Sequence, residues 1–214
     1  MHNLAGKYKY IIFDFDGTIN NTAPGIHATF KAVLDKFGIS YDGVDFDNHI
    51  GPPLDFSYSH LMGDKYTFEA IEAHRQIYAD TNAAANSFLY EGIEDTLIDL
   101  TSKGYVLAVA SSKYEPHAID SLKLLGLYKY FVYVYGQTDR RGYKNEVLCQ
   151  LVEDHNWDRK QCLMIGDTTY DMQGAIANNI DFLAVTYGFG KEQDLVVGNP
   201  VAVAHCPKEI SQLL

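Results

Sequence analysis

Five short apolar runs separated by helical patterns constrain the fold of this sequence more than any other feature. Each run is too short for a helix and has the composition of a buried strand. The segments between later runs carry apolar residues at helical spacing and end at glycines such as Gly104 and Gly126. Strands that alternate with helices are joined by crossovers and lie parallel. The sequence therefore predicts an open α/β sheet with helices on both faces, its strands at residues 10–13, 106–110, 131–135, 163–165 and 182–185.

The segment from residue 20 to residue 88 interrupts this alternation. It shows one helical pattern after another and no convincing strand, and Gly38 ends the first pattern. A run of helices after the first strand is typical of an inserted domain. We expect an α/β core domain formed by residues 1–19 and 89–214, and an α-helical cap domain formed by residues 20–88. The alternative is a group of helices packed on the sheet without independent motion.

Polar side chains lie at or just after the ends of four predicted strands. In open α/β sheets, ligands bind outside the carboxyl ends of the strands. Each residue alone has an ordinary explanation, because Asp and Gly are common in turns and Ser often caps a helix. Together they predict a site at one edge of the sheet. The set has four carboxylates, two hydroxyls and two lysines: Asp14, Asp16, Asp167, Asp171, Ser111, Ser112, Lys113 and Lys144.

The charges of this predicted site call for a cation. Four ionised aspartates against the single ammonium of Lys144 leave a net charge of −3. Carboxylates this close raise one another's pKa or bind a metal ion. Ligands that are all oxygen favour Mg²⁺, which would reduce the charge to about −1 and let a phosphate dianion approach. We therefore predict Mg²⁺ as the cofactor.

The order of these residues resembles the four motifs of the haloacid dehalogenase (HAD) superfamily. The motifs are "DFDGT", the strand ending at Ser111, then Lys144, then "GDTTYD", and they span most of the chain. The segment after the first motif resembles the C1-type helical cap of the superfamily. The stretches "HIGPPL" and "TYGFGKEQDL" resemble its phosphoglycolate phosphatase-like branch. The resemblance implies a Rossmann-like core and a phosphoric monoester hydrolase.

The resemblance also implies a role for each candidate residue. Asp14 would be the nucleophile that forms an aspartyl-phosphate, and Asp16 would protonate the leaving oxygen and then activate water. Ser111 and Lys144 would hold the oxygens of the transferring phosphoryl group, and the backbone N–H near Ser112 would add a donor. The implied Mg²⁺ ligands are Asp14, the backbone carbonyl of Asp16, Asp167 and Asp171, the last directly or through a water.

Charge and composition limit the partners of the chain. Its 214 residues carry 17 Lys and Arg against 28 Asp and Glu, a net charge of −11, which argues against a nucleic-acid polymer or an anionic membrane as partner. No apolar run approaches the ~20 residues of a membrane span, and the N-terminus lacks an apolar signal segment. The three cysteines are far apart and are expected to be reduced thiols. We expect a cytoplasmic protein that binds a small phosphorylated metabolite; its oligomeric state does not follow from the sequence.

Two substrate classes fit the motifs. Phosphoglycolate is the default of the branch that the sequence resembles. Residues 20–90, however, carry four cations against nine acids. The negative electrostatic potential of this segment would disfavour a leaving group that bears a carboxylate, unless one Lys or Arg lies beside that group. The same segment holds eleven aromatic residues, a few of which would suit stacking on a base. A 5′-nucleotidase is therefore the second hypothesis.

Other chemistries on the same scaffold are distinguished by single features. A phosphomutase would also retain Asp16, so the motifs leave that activity open. A phosphonate hydrolase of this branch would need a cap lysine that forms a Schiff base. A dehalogenase would usually lack the second aspartate of "DFDGT", which is present here. The completeness of the motifs argues against a non-catalytic phosphate-binding protein.

Overall fold

A parallel sheet of six strands forms the centre of the fold. The computed structural model describes residues 4–214, and its strands are β1 Tyr10–Phe13, β2 Asn20–Asn21, β3 Phe88–Leu89, β4 Val106–Tyr114, β5 Tyr133–Gln137, β6 Cys162–Gly166, β7 Asp181–Val185 and β8 Ala202–Ala204. In the central sheet the strand order is β5-β4-β1-β6-β7-β8, and every neighbouring pair is parallel. The short strands β2 and β3 pair with each other, antiparallel, outside this sheet. The strands β1, β4 and β6 therefore bring their carboxyl ends to one edge.

Helices cover both faces of the sheet. Within the described range they are α1 Ala23–Phe37, α2 Leu54–Met62, α3 Thr67–Asp80, α4 Ile93–Ser102, α5 Glu115–Leu124, α6 Lys144–Asp154, α7 Thr169–Ala177, α8 Glu192–Leu195 and α9 Pro207–Leu213. Side chains of β1 alternate between two cores: Ile11 and Phe13 pack with α4, α5 and α9, whereas Ile12 packs with α6, α7 and α8. This alternation follows from the two-residue period of a strand. The predicted parallel α/β sheet with helices on both faces is confirmed.

The boundaries of the strands differ from the prediction in a few places. The strand β1 has the predicted bounds, but β4 extends to Tyr114 and β5 begins at Tyr133 rather than at residue 131. The strand β8 was not predicted, because a run of three small apolar residues carries too little periodicity to be recognised. The strands β2 and β3 have two residues each and are likewise too short to be predicted from the sequence pattern.

The helices α1, α2 and α3 pack around their own hydrophobic cluster. Phe30 is fully buried and contacts the rings of Phe46, Tyr58 and His74. This cluster is distinct from the two cores that flank the sheet. Not every aromatic residue of the segment is buried, since Phe68, for example, is exposed. The aromatic richness of the segment is thus explained largely, but not wholly, by its own core.

The chain enters and leaves this helical segment through the β2–β3 pair. Asn20 pairs with Leu89, and the Asn20 side-chain amide donates to Ser87 Oγ at 2.8 Å. The two connections therefore lie side by side where the segment meets the sheet.

None of the helices in residues 4–214 is long and apolar enough to cross a membrane.

His74 is a buried histidine at the centre of the helical segment. Its Nδ1 atom lies 2.7 Å from the hydroxyl oxygen of Tyr58. Burial lowers the pKa of His74 to about 3, and the charges of Lys113 and Arg75 act in the same direction. The imidazole is therefore neutral in the folded protein at pH 7.

Acid is expected to destabilise the protein through His74. Because the pKa is about 3 in the folded state and 6.5 in the reference state, the unfolded chain takes up a proton first as the pH falls. The contribution of neutral His74 to the free energy of unfolding is fully present above pH 6.5. It decreases toward pH 3 by about 1.4 kcal/mol per pH unit. His74→Gln has no such proton to take up. Between pH 7.5 and 5.0, denaturant titrations should show the variant losing about 2 kcal/mol less free energy of unfolding than the wild type.

The exposed His205 provides the control for this experiment. His205→Gln should leave the acid dependence of the wild type in place. If His74→Gln retained the wild-type acid slope, the assignment of a neutral, buried imidazole would be wrong.

Candidate active site

Two buried carboxylates, Asp14 and Asp16, follow strand β1 and have different hydrogen-bond partners. Asp14 is 2% exposed and its Oδ1 accepts a hydrogen bond of 2.7 Å from the backbone N–H of Phe15. Asp16 is 7% exposed and its Oδ1 lies 3.1 Å from Lys113 Nζ. Phe15 between them is fully buried in the core. Two acids two residues apart thus have separate partners, which suits two separate tasks.

Lys144 begins helix α6 and lies buried among three acceptors. Its Nζ is 2.7 Å from Asp14 Oδ1 and 2.7 Å from Asp171 Oδ1, and it donates to the backbone oxygen of Ala110 at 3.0 Å. Burial alone would lower the pKa of Lys144, but the two carboxylates outweigh it and raise that pKa above its ordinary value. A permanent positive charge therefore lies between Asp14 and Asp171.

The "GDTTYD" stretch places two further carboxylates beside this lysine. Asp167 follows β6, accepts from Thr18 Oγ1 at 2.8 Å and from the backbone N–H of Phe189 at 2.8 Å. Asp171 lies in the first turn of α7, where its Oδ2 accepts from the backbone N–H and the hydroxyl of Thr168. This reciprocal arrangement is a capping box, and it fixes the start of the helix. Both carboxylates are fully buried.

Asp14, Asp167 and Asp171 together form a donor set that fits a divalent cation. One oxygen from each of them lies within 4.8 Å of the others. Burial, with a contribution from Asp171, raises the pKa of Asp14 to about 7 and that of Asp167 well above its ordinary value. A bound cation would remove the penalty of crowding these buried charges. Because the donors are hard oxygens, the set fits the predicted Mg²⁺.

The end of β4 adds two hydroxyls and an ammonium group. Ser111 is 1% exposed, and its Oγ accepts from the backbone N–H of Lys113 at 3.3 Å. Ser112 Oγ is buried and has no hydrogen-bond partner within residues 4–214. Lys113 has a nearly buried side chain that pairs with Asp16. Ser111, Ser112 and Lys113 line the same cleft as Asp14 and Asp16.

This cleft lies between the edge of the sheet and the helical segment. It contains about 560 Å³ of empty space, its open mouth included. His49, Arg75 and Tyr78 line it from the helical segment. Contacts across it include the stacking of the Tyr78 ring on His117, with ring centroids 4.8 Å apart. The segment therefore covers the nucleophile candidate Asp14 with groups of its own.

The seven residues to which the resemblance gives a role lie at one edge of the sheet, in two adjoining groups. Asp14, Lys144 and Asp171 are in direct contact, Asp167 belongs to the same carboxylate cluster, and the remaining candidates line the cleft with Asp14. Lys113 is the residue to which the resemblance gives no role. It was visible as the residue after Ser112, but its partner Asp16 is remote in sequence. Lys113 adds a second cation beside the four carboxylates.

Gly17 is the residue that lets the turn after Asp16 approach Asp167. Its φ is +86°, and a Cβ at this position would overlap the Asp167 carboxylate. Gly17→Ala is therefore expected to displace Asp167 and to lower activity by at least about 100-fold, because small displacements in a catalytic site are costly. Turnover of a phosphomonoester with Mg²⁺ is the measurement.

Gly104 offers a control with the same backbone conformation. Its φ is also +86°, but a Cβ there would have no atom within 4 Å. Gly104→Ala should lower the free energy of unfolding by about 1 kcal/mol and leave activity unchanged. Equal activity losses in the two variants would show that backbone strain, not the displacement of Asp167, explains the effect.

The chain belongs to the haloacid dehalogenase-like hydrolase family. The family described as "Haloacid dehalogenase-like hydrolase" matches residues 11–185, a stretch that contains every candidate residue. A solved structure of this family, protein SP0104 from Streptococcus pneumoniae, superimposes with a TM-score of 0.88 at 31% identity, covering 95% of this chain and 97% of that one. The predicted membership of the superfamily is thus confirmed.

Curated relatives carry several different names. The tyrosine-protein kinase PtkA of Mycobacterium tuberculosis is 34% identical over 200 residues, which are 92% of this chain and 68% of that protein. A 5′-nucleotidase of Pseudomonas aeruginosa is 30% identical over 205 residues, or 94% of this chain and 92% of that protein. A phosphoglycolate phosphatase of Vibrio parahaemolyticus is 27% identical over 220 residues, covering 96% of each. The names of these relatives therefore do not agree on a substrate.

Proposed function

We propose that the protein is a Mg²⁺-dependent phosphatase that hydrolyses a small phosphomonoester through an aspartyl-phosphate. The observation that carries this proposal is the contact of Asp14 with Lys144 inside a buried carboxylate cluster, at the edge of a cleft that also holds Asp16. Membership of a hydrolase family and relatives named as phosphatases support the class of phosphoric monoester hydrolase. A nucleophile, an acid and a cation are then available in one place.

The proposed reaction has two displacement steps. In the first, an oxygen of Asp14 bonds to phosphorus while the bond to the leaving oxygen breaks, and Asp16 donates its proton to that oxygen. In the second, Asp16 takes a proton from water, whose oxygen bonds to phosphorus as the bond to Asp14 breaks. Inorganic phosphate leaves and Asp14 is regenerated. Ser111, Ser112 and Lys144 are proposed to hold the phosphoryl oxygens during both steps.

We propose that Asp14, the backbone carbonyl of Asp16, Asp167 and Asp171 would hold the Mg²⁺. The bound ion would supply positive charge that lets an anionic nucleophile meet an anionic phosphate. Asp167 is kept in place by Thr18 and Phe189, as described above. The chain's own hydrogen bonds therefore orient the carboxylates before the ion binds.

Residues 20–88 are proposed to act as the cap domain that selects the leaving group. Their helices have a separate hydrophobic cluster and are joined to the core through the β2–β3 pair. The cleft is lined from both sides, so that closure would exclude water from the phosphoryl group. The remaining residues, 1–19 and 89–214, would form the core that performs the chemistry.

Phosphoglycolate and a nucleoside monophosphate remain the two candidate substrates. The branch resemblance and the relative from Vibrio parahaemolyticus support the first, and the relative from Pseudomonas aeruginosa supports a 5′-nucleotidase. A cytoplasmic location is proposed on the strength of three free cysteines.

A panel of phosphomonoesters tests the proposal. Purified protein with Mg²⁺ should release inorganic phosphate from at least one small ester, and chelation of the metal should stop the release. Isotopic phosphate should be trapped on Asp14 after rapid acid quenching. Absence of turnover across the panel with Mg²⁺ present would overturn the proposed function.

A further inference from the structure

The cleft contains two cations that the proposed reaction does not use. Lys113 comes from β4 of the core, and Arg75 comes from α3 of the helical segment. Both line the cleft with Asp14 and Asp16, the residues proposed to react with the substrate. They are the Lys and Arg side chains among the described residues that line the cleft, and the general charge of the helical segment is negative.

Lys113 is held in place but keeps spare hydrogen-bonding capacity. Its side chain is 7% exposed, its Nζ lies 3.1 Å from Asp16 Oδ1, and it lies over the Tyr78 ring at 4.5 Å from the centroid. An ammonium group has three N–H donors; Asp16 takes one and the Tyr78 side chain takes a second, which leaves one. Lys113 is therefore positioned to contact a further acceptor in the cleft.

Arg75 lines the same cleft and carries a donor that no described residue accepts. Its guanidinium lies over the Tyr114 ring, 4.4 Å from the centroid, and its Nη1 pairs with the exposed acids Glu72 at 3.1 Å and Asp139 at 3.7 Å. Its Nε is buried and has no partner in the described part of the chain. A buried donor without a partner costs about 1–3 kcal/mol, which a bound acceptor would recover. The Nδ1 atom of His49, another residue lining the cleft, is also buried and has no partner among residues 4–214.

Neighbouring histidines respond to the positive potential of these two groups. Burial lowers the pKa of His74 to about 3 and that of His117 to about 4, and Lys113 and Arg75 contribute to both shifts. The two imidazoles are therefore neutral at pH 7. An anionic group placed here would meet two fixed positive charges in a partly dry environment.

We propose that Lys113 and Arg75 determine substrate choice by binding a second anionic group, a carboxylate or a phosphate, on the leaving group. This inference rests on the proposed phosphatase function and deepens it. The preferred substrates are then phosphate esters of small acids or bisphosphates, and esters with a neutral leaving group, nucleosides included, are poorer. A carboxylate-bearing leaving group requires at least one Lys or Arg beside it, and the cleft has two, Lys113 and Arg75.

Four esters separate the possible leaving groups. Phosphoglycolate carries a carboxylate, ethylene glycol bisphosphate carries a second phosphate, and propyl phosphate and a nucleoside 5′-monophosphate have neutral leaving groups. At least one of the first two should exceed propyl phosphate in kcat/KM by tenfold or more. A nucleoside monophosphate or propyl phosphate as the best substrate would overturn the inference while leaving the phosphatase function in place.

Substitutions then test the two cations directly. In Arg75→Gln and in Lys113→Met, the ratio of kcat/KM between the anionic and the propyl ester should fall at least tenfold, mainly through KM for the anionic ester. Arg75→Lys, which keeps the charge but loses Nε, should give a smaller decrease. The exposed Arg140→Gln is the control and should keep the wild-type ratio. An unchanged ratio in Arg75→Gln and Lys113→Met would refute their role.

Binding without turnover distinguishes this inference from the proposed reaction. Asp14→Asn protein with Mg²⁺ is titrated calorimetrically with phosphoglycolate, ethylene glycol bisphosphate and propyl phosphate. One of the two anionic esters should bind at least tenfold more tightly than propyl phosphate, and Arg75→Gln should remove the difference. Equal binding of all three esters would overturn the inference even if every ester were hydrolysed by the wild type.

Discussion

Asp14→Asn is expected to reduce turnover by at least about 1,000-fold, which corresponds to roughly 4 kcal/mol of transition-state stabilisation. An amide has almost the shape of the carboxylate but cannot attack phosphorus. Asp14 contacts Lys144 and lines the cleft, so no other carboxylate of the cluster takes its place. Steady-state turnover of the best ester of the panel, with saturating Mg²⁺, is the measurement.

The fold should survive this substitution. Burial and Asp171 disfavour the ionised form of Asp14 and raise its pKa to about 7, so a neutral amide relieves a penalty in the metal-free protein. We expect the free energy of unfolding to stay within about 1 kcal/mol of the wild type. The exposed Asp95→Asn in helix α4 is the matched control, with wild-type activity and stability. Activity within about tenfold of the wild type would mean that Asp14 is not the nucleophile.

Asp167→Ala is expected to weaken Mg²⁺ binding before it affects any other property. The carboxylate is fully buried, belongs to the three-residue cluster, and is oriented by Thr18 and Phe189. Loss of one charged ligand should raise the half-saturating Mg²⁺ concentration at least tenfold, about 1.4 kcal/mol of binding free energy. Two titrations measure the effect: activity against Mg²⁺ concentration, and calorimetry with Mg²⁺ alone.

Asp167→Asn separates the loss of charge from the loss of packing. It keeps one oxygen for the hydroxyl of Thr18, so it should fall between the wild type and Asp167→Ala in Mg²⁺ affinity. Burial and two neighbouring carboxylates raise the pKa of Asp167, so the neutral Asp167→Asn should stay close to the wild type in stability without metal. Asp167→Ala leaves the donors of Thr18 and Phe189 without their acceptor and should be less stable than Asp167→Asn. An unchanged half-saturating Mg²⁺ concentration in Asp167→Ala would remove this residue from the metal site.

Much of the catalytic edge follows from the sequence because it depends on local order. An apolar run that ends in Asp14 must bring that carboxylate to the end of a buried strand, and "GDTTYD" does the same for Asp167 with a helix start at Asp171. The strands are parallel because helices connect them, and their carboxyl ends then share one edge. This topology alone was enough to predict that these carboxylates lie close to Lys144.

The two cations proposed to bind the leaving group could be placed in the cleft only by the tertiary structure. Arg75 belongs to an ordinary amphipathic helix pattern. Nothing in that pattern indicates that its Nε is buried or that its guanidinium lies over the ring of Tyr114, at the end of β4. Lys113 was visible beside Ser112, but its ion pair with Asp16 joins residues 97 positions apart. Whether a cation serves the surface or a binding cleft depends on which helix face packs against which strand end. That packing is set by side chains from distant segments, so local periodicity determines the elements and only their assembly determines the pocket.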